Sequence, residues 1–244
     1  MFSNTVYRAL AKDLARPVYT LDLRNHGESP HAPTHDYTVM SEDVEHFIQA
    51  QNIKKPTLIG HSMGAKVAMT LALRQPSWYS GICPVDNSPI DAALKSDFGT
   101  YVNAMREVED KKAFKQSEAD HILQKYNIEL TIRQFLLTNF VRQPDGTYAF
   151  RVPLATLAKS LPAMADFPYR DPDEVRFEGP TLFVRGTESH YIADETLPLI
   201  GRFFPKFELL SFQCGHWVMS ERFEEFRLGF VEWVKRCVDG KDEN

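Results

Sequence analysis

Cysteine is scarce: a chain of 244 residues carries three, Cys83, Cys214 and Cys237. They are too few and too widely spaced for a disulfide framework or a zinc site, which favours a reducing or mixed compartment over secretion and predicts buried thiols. Long apolar runs are missing as well. No stretch approaches the length of a membrane span, and the first residues lack the continuous apolar segment of a secretory signal. Nor is there an excess of positive charge, since 28 Lys and Arg against 33 Asp and Glu leave a formal net charge of -5 at pH 7. This argues against nucleic acid or an anionic membrane surface as the main partner and for a small, neutral or acyl-bearing substrate. Three histidines, His26, His31 and His35, share a proline-containing loop. No carboxylate or cysteine completes a plausible ligand set there, so neither a metal nor a cofactor is expected.

What is present is a globular composition, 43% hydrophobic and 25% charged, sufficient for one sizeable core. Helical and strand periodicities alternate and predict an α/β fold with a mostly parallel sheet. Helices are expected over Met1–Leu14, Met40–Gln51, Ala65–Arg74, Ala193–Phe204 and Arg222–Val238, with strands over Val18–Leu23, Thr57–His61, Tyr79–Asp86, Thr181–Gly186 and Phe207–Phe212. After Pro89 the pattern becomes helical through Tyr101, Met105 and Val108, then Ile122–Tyr126, Leu130–Phe140 and Leu154–Met164, with a hairpin or loop at the Pro-Asp-Gly of residues 144–146. Residues 89–170 therefore read as a helical cap inserted into a core made of residues 1–88 and 171–244.

The chemistry is concentrated in Gly60-His61-Ser62-Met63-Gly64, set between the apolar run Thr57, Leu58, Ile59 and a helical stretch. A serine on a sharp strand-to-helix turn adopts a strained backbone, and Gly60 and Gly64 are expected to make the room for it. Such a turn lifts the hydroxyl above the sheet edge, and the first amides of the following helix face the charge that develops in acyl transfer. The serine needs a base. His216, in Cys214-Gly215-His216-Trp217, follows the last expected strand and precedes the last helix, where an α/β-hydrolase carries its histidine. The base needs an acid, and two candidates stand at strand ends. Glu188 lies in Gly186-Thr187-Glu188-Ser189, and Asp86 in Pro84-Val85-Asp86-Asn87-Ser88-Pro89. Geometry alone does not separate them.

Taken together, Asp22-Leu23-Arg24-Asn25-His26-Gly27-Glu28-Ser29-Pro30-His31, Gly60–Gly64, Pro84–Pro89 and Gly215-His216-Trp217 resemble one branch of the α/β-hydrolases, that of bacterial short-chain esterases and yeast mitochondrial ethanol acetyltransferases. The resemblance spans nearly the whole chain, and its specific part is the Arg-Asn-His-Gly loop. It implies Ser62, Asp86 and His216 as a catalytic triad, leaves Glu188 as the alternative acid, and implies hydrolysis of esters or thioesters through an acyl-enzyme. In the yeast members the same acyl-enzyme passes an acetyl group from acetyl-CoA to an alcohol. The backbone N–H of Met63 is the expected oxyanion donor. Phe98, Tyr101, Met105, Phe135, Phe140 and Trp217 are candidates for the wall of a substrate pocket.

The chain departs from that branch at its beginning. It opens at what resembles the first core helix, so the preceding strands and the His-Gly motif of the loop between them are not in it. An α/β-hydrolase fold without its first strands is expected, with a gap in the sheet between the strands at Val18–Leu23 and Thr57–His61 and with half of an oxyanion hole. Losing one oxyanion donor costs on the order of a hundredfold to a thousandfold in turnover. The expectation is a truncated gene model, a splice form or a decayed paralogue, mitochondrial by resemblance and cytoplasmic if the chain truly begins at Met1. The competing expectation is a non-catalytic hydrolase-like module. Lys241-Asp242-Glu243-Asn244 reads as a solvated tail.

Overall fold

In chain order the elements are α1 (Phe2–Leu14), α2 (Tyr37–Ala50), β1 (Thr57–His61), α3 (Met63–Arg74), β2 (Gly81–Val85), α4 (Asp97–Asp110), α5 (Gln116–Gln124), α6 (Leu130–Leu137), β3 (Phe140–Arg142), β4 (Tyr148–Phe150), α7 (Leu154–Ala165), β5 (Thr181–Gly186), α8 (Leu197–Phe203), β6 (Phe207–Phe212), α9 (Val218–Glu221) and α10 (Phe223–Trp233). The computed structural model describes residues 2–90 and 97–241; the last three residues of the expected tail lie outside them. The chain divides into two compact units. One comprises Met1–Leu21, Ser41–Ile90 and Phe167–Asn244, the other Asp22–Met40 and Asp91–Asp166, so the loop bearing His26, His31 and His35 belongs with the helical insertion.

The first unit is built on a parallel sheet in the order β1-β2-β5-β6. Its inner strands read as continuous apolar runs because helices cover both faces of a parallel sheet. All five residues of β2 are buried, whereas the edge strands β1 and β6 are half-exposed along most of their length. Register is regular, from Thr57↔Gly81 to His61↔Val85 on one side and from Thr181↔Phe207 to Gly186↔Phe212 on the other. All four strands therefore finish at the same end of the sheet, where loops can carry chemistry. Buried Val6 and Leu10 sit four residues apart on one stripe of α1 and share a core with Val85, Val184, Phe226 and Trp233. Arg227 of α10 pairs with Asp13 of α1. Helix α3 is buried at every position from Ala65 to Leu73, and Arg74 at its end bonds Glu45 of α2 at 3.0 Å.

The expected strand over Val18–Leu23 does not form. Residues 17–23 are in no regular element, with Tyr19 and Leu21 exposed. Apolar alternation alone does not hold a strand, which needs a ladder partner. Strand β1 pairs with β2, and among the described residues no strand pairs with its other edge. Two of the three thiols are buried as expected, Cys83 and Cys214, whereas Cys237 is half-buried and its thiol donates to Glu208 at 3.2 Å.

The second unit has its own core, in which Met105, Val108, Leu123, Phe140 and Phe150 are buried. The helix expected over Leu130–Phe140 stops at Leu137, and Phe140 instead begins the antiparallel hairpin of β3 and β4. Its turn is closed by Gln143 donating its N–H to Thr147 at 2.8 Å and uses the positive φ of Gly146. The histidine loop is organised by buried Asn25, whose side-chain oxygen accepts from Ala32 N–H at 2.8 Å. His26 Nδ1 lies 3.0 Å from the Arg24 carbonyl and His31 Nε2 lies 2.8 Å from that of Arg151. His35 Nδ1 lies 3.4 Å from the Asn25 side-chain nitrogen. These ring nitrogens are engaged within the unit, and among the described residues no three His, Cys, Asp or Glu side chains form a group able to hold a metal.

Candidate active site

Ser62 stands between the last residue of β1 and the first of α3 with φ 54° and ψ −115°, a conformation L side chains avoid. Three contacts hold it there. Its N–H donates to Val85 O at 2.9 Å, its carbonyl accepts from Ala65 N–H at 3.0 Å, and Asn87 Nδ2 donates to the same carbonyl at 3.1 Å. Gly60 is obligatory, since a Cβ there would lie 1.9 Å from the Gly64 carbonyl oxygen. Gly64 is not. A Cβ at that position meets nothing within 4 Å, which corrects the expectation that both glycines make room for the turn.

One strand over, β2 ends in Asp86, which is fully buried and again has a positive φ, 51°. Its N–H donates to Val184 O at 2.8 Å, fixing the strand end against β5. The carboxylate receives three donors: Gly186 N–H on Oδ1 at 3.2 Å, and Ser189 Oγ at 2.5 Å and His216 Nδ1 at 2.7 Å on Oδ2. A buried charge is tolerable when its lone pairs are occupied in this way. His216 sits in the loop after β6, brought close because Gly186 has no side chain: a Cβ there would lie 2.1 Å from the Gly215 carbonyl oxygen. Its other ring nitrogen, Nε2, is 2.9 Å from Ser62 Oγ. With a carboxylate on Nδ1, that nitrogen carries the proton, and Nε2 is left to accept the serine hydroxyl.

The structure thus joins Ser62, His216 and Asp86 in one hydrogen-bonded chain. Glu188 is not part of it. Its backbone N–H donates to Cys214 O at 3.0 Å, and the residue is exposed, one position before the serine that bonds Asp86. Met63 opens α3, so its N–H belongs to the first turn, where amides have no carbonyl partner within the helix. Of the expected pocket residues, Trp217 lies beside His216, with ring centroids 5.7 Å apart. The others belong to the helical unit, where Met105 and Phe140 are core, Tyr101 packs on that core, and Phe98 and Phe135 are exposed. His61, Ser189 and Tyr191 also stand at the site and belong to none of the roles expected from the sequence. Tyr191 packs on the His216 ring at 4.2 Å between centroids, and its carbonyl accepts from Ser88 Oγ at 2.8 Å. A Ser following Glu188 at a strand end was the available signal for the second of these.

A serine hydroxyl, an imidazole and a buried carboxylate in sequence can pass a proton off the serine and hold the resulting cation. Here they are borne at the carboxyl ends of parallel strands, with the serine on a turn into a helix, which is the architecture of an α/β-hydrolase. The family model for the alpha/beta hydrolase fold matches residues 1–223, and the chain belongs to that family. It is 39% identical to a probable alcohol acetyltransferase of Saccharomyces cerevisiae over 97% of this chain and 74% of that protein. It is 40% identical to the sn-1-specific diacylglycerol lipase ABHD11 of Xenopus laevis over 95% of this chain and 74% of that one. Among solved structures, a marine microorganism esterase superposes with a TM-score of 0.85 at 28% identity, covering 95% of this chain and 90% of its own.

Proposed function

We propose that this protein is a serine hydrolase of short-chain carboxylic esters or thioesters that works through an acyl-enzyme, with alcohols competing with water for the acyl group. The observation that carries the reading is the unbroken chain from Ser62 Oγ to His216 Nε2 at 2.9 Å and from His216 Nδ1 to Asp86 Oδ2 at 2.7 Å. As Ser62 Oγ attacks the acyl carbonyl, its proton passes to His216 Nε2, and the imidazolium is held by Asp86. The carbonyl oxygen gains the negative charge and is met by the Met63 N–H at the positive end of α3. When the tetrahedral adduct collapses, His216 returns the proton to the departing alkoxide or thiolate, leaving acyl-Ser62. Water or an alcohol then gives its proton to His216 and its oxygen to the acyl carbon, and Ser62 is released protonated. Acyl transfer to water and to an alcohol are the same second step with different nucleophiles, which accommodates relatives named as a lipase and as an acetyltransferase.

A second reading is a hydrolase-like protein that retains the relay but turns over poorly. It draws on the edge of β1 that no strand pairs among the described residues, and on Met63 being the one amide this reading assigns to the oxyanion. Turnover of p-nitrophenyl acetate, with and without ethanol, together with labelling by a fluorophosphonate, decides between them. The hydrolase reading expects both turnover and labelling, each lost in Ser62→Ala. Labelling without turnover points to the impaired form, and the absence of both signals overturns the assignment of Ser62 as an activated nucleophile.

A further inference from the structure

Between Gly60 and Ser62 lies a residue that the relay does not use. His61 is the last residue of β1, and its ring packs against that of His216, with centroids 4.7 Å apart and planes inclined by 37°. Its Nε2 lies 2.7 Å from the backbone carbonyl oxygen of His216. A carbonyl only accepts, so His61 Nε2 carries the proton and donates it. The loop after β6 is consequently fastened twice at one residue, with the side chain of His216 tied to Asp86 and its main chain tied to His61.

We infer that His61 is a positioning residue for His216: by donating to its carbonyl from the position adjacent to Ser62, it fixes base and nucleophile to the same strand end. The inference rests on the reading above, in which His216 is the base for Ser62. The geometry supplies the reason. A loop residue tied only through its ring can pivot about that bond, and a displacement of about 1 Å between reacting groups is enough to cost about a hundredfold in rate. A second tie, on the main chain of the same residue, restrains that pivot beside the bonds that join Cys214 to Glu188 and Gly215 to Glu221. Because His61 and Ser62 are consecutive, movement of the strand end carries nucleophile and base together.

The chemistry of the donor matters too. A positive side chain here would oppose the imidazolium that His216 becomes during attack. Burial first, then the neighbouring His216, lower His61 to about 4, against the raising influence of its bond to the His216 carbonyl and of Asp86. His61 is thus a neutral donor throughout the range in which a histidine base operates. Around it stand His216, Asp86 and the ring of Trp217, at 5.7 Å between centroids. A neutral amide can do the same work, whereas an apolar ring of similar size cannot.

The test compares the full chain with His61→Phe and His61→Gln, counting sites by fluorophosphonate labelling before measuring p-nitrophenyl acetate turnover. The expected result is a kcat per labelled site lower by about tenfold to a hundredfold in His61→Phe, with KM little changed, and recovered in His61→Gln. A role confined to folding would reduce the labelled fraction and leave kcat per labelled site intact, which would overturn the inference. Histidine ring-nitrogen chemical shifts measured by NMR on the unmodified chain need neither turnover nor a variant. They should show His61 neutral with its proton on Nε2 at pH 7; a proton on Nδ1 instead overturns the proposal. If the unmodified chain shows no Ser62-dependent turnover, the hydrolase reading fails, and the NMR result still decides whether His61 holds the His216 carbonyl.

Discussion

The two flanks of β1 are built to different standards. Toward β2 the strand is paired along its whole length, and beyond its end the hydrogen bonds of Ser62, Asp86, Ser189 and His216 run through β2, β5 and the loop after β6. On the other flank the described residues offer no strand, and the segment over residues 17–23 that the sequence marks as extended forms no ladder. The same contrast recurs at the two glycines around Ser62, one wedged against backbone and the other facing open space. The difference teaches that, in the proposed mechanism, the proton relay and the stabilisation of the oxyanion are separable constructions. The hydrogen-bonded chain is closed by the ends of β1 and β2 and the loop after β6, while the oxyanion donor in the proposed mechanism is an amide at the start of α3.

The sharpest way to break the comparison is to remove members of the relay. Ser62→Ala is expected to abolish labelling and to lower kcat by about 10⁶-fold, the scale on which triad members act together. Asp86→Asn should cost about 10⁴-fold, because an amide at that place favours the wrong tautomer of His216. Glu188→Gln should leave turnover essentially unchanged. Steady-state kinetics on the three variants checks the assignment of the acid, and a large loss in Glu188→Gln with a small one in Asp86→Asn would reverse it. Next in size is Gly60→Ala, whose methyl cannot be placed without moving the backbone of residues 64 and 65. A loss of about 3 kcal/mol or more is expected, measured by urea unfolding, with Ser62 unlabelled in the fraction that folds.

A further contrast is between the two compact units, and pH reads it. His61 in the sheet unit and His35 in the helical one are both held near 4, chiefly by burial, below the ordinary value of 6.5. Burial also lowers His26. Between the folded and unfolded values the unfolded chain binds more protons, so stability rises with pH through this window and is lost as pH falls from about 6.5 toward about 4. Each histidine contributes at most about 1.4 kcal/mol per pH unit. Urea unfolding at pH 4.5, 5.5 and 7 should show this slope, and His35→Gln should flatten it by less than the whole, since His61 still titrates. A stability independent of pH across the window would show that the rings are protonated equally in both states.

Much of this was legible in the residues, and the failures share a cause. The strands at Thr57–His61, Thr181–Gly186 and Phe207–Phe212 coincide with the expected ones because their apolar runs are bounded by local stops. Ser62 announces itself through spacing, and His216 through its place after the last strand. Asp86 and Glu188 could not be ranked from local pattern, because the choice depends on sheet order and on the missing side chain of Gly186, which lets the Cys214–Gly215 carbonyls approach. Val18–Leu23 has strand-forming residues and no ladder, a non-local requirement. Phe140 reads in the sequence as the end of a helix because its partner in the hairpin, Phe150, is set by pairing and not by helical period. His61 is unmarked in the sequence for the same reason: its hydrogen-bond partner stands 155 residues away in the chain.

The smallest effect tests the open space at the second glycine. Gly64 lies in the first turn of α3 without a positive φ, and a Cβ there would touch nothing within 4 Å. A glycine inside a helix costs about 0.5–1 kcal/mol relative to alanine through the freedom it loses on folding. Gly64→Ala should therefore stabilise the chain by about that amount, raising its melting temperature by about 1–4 °C. Ser62 should still be labelled, because the methyl reaches neither the turn nor the relay. If the substitution instead destabilises the protein as Gly60→Ala does, something fills the space beside Gly64 in solution, and the asymmetry between the two glycines is not a property of the working molecule. The pair of alanine variants thus measures, on one scale, how tightly the chain is packed at each glycine beside its serine.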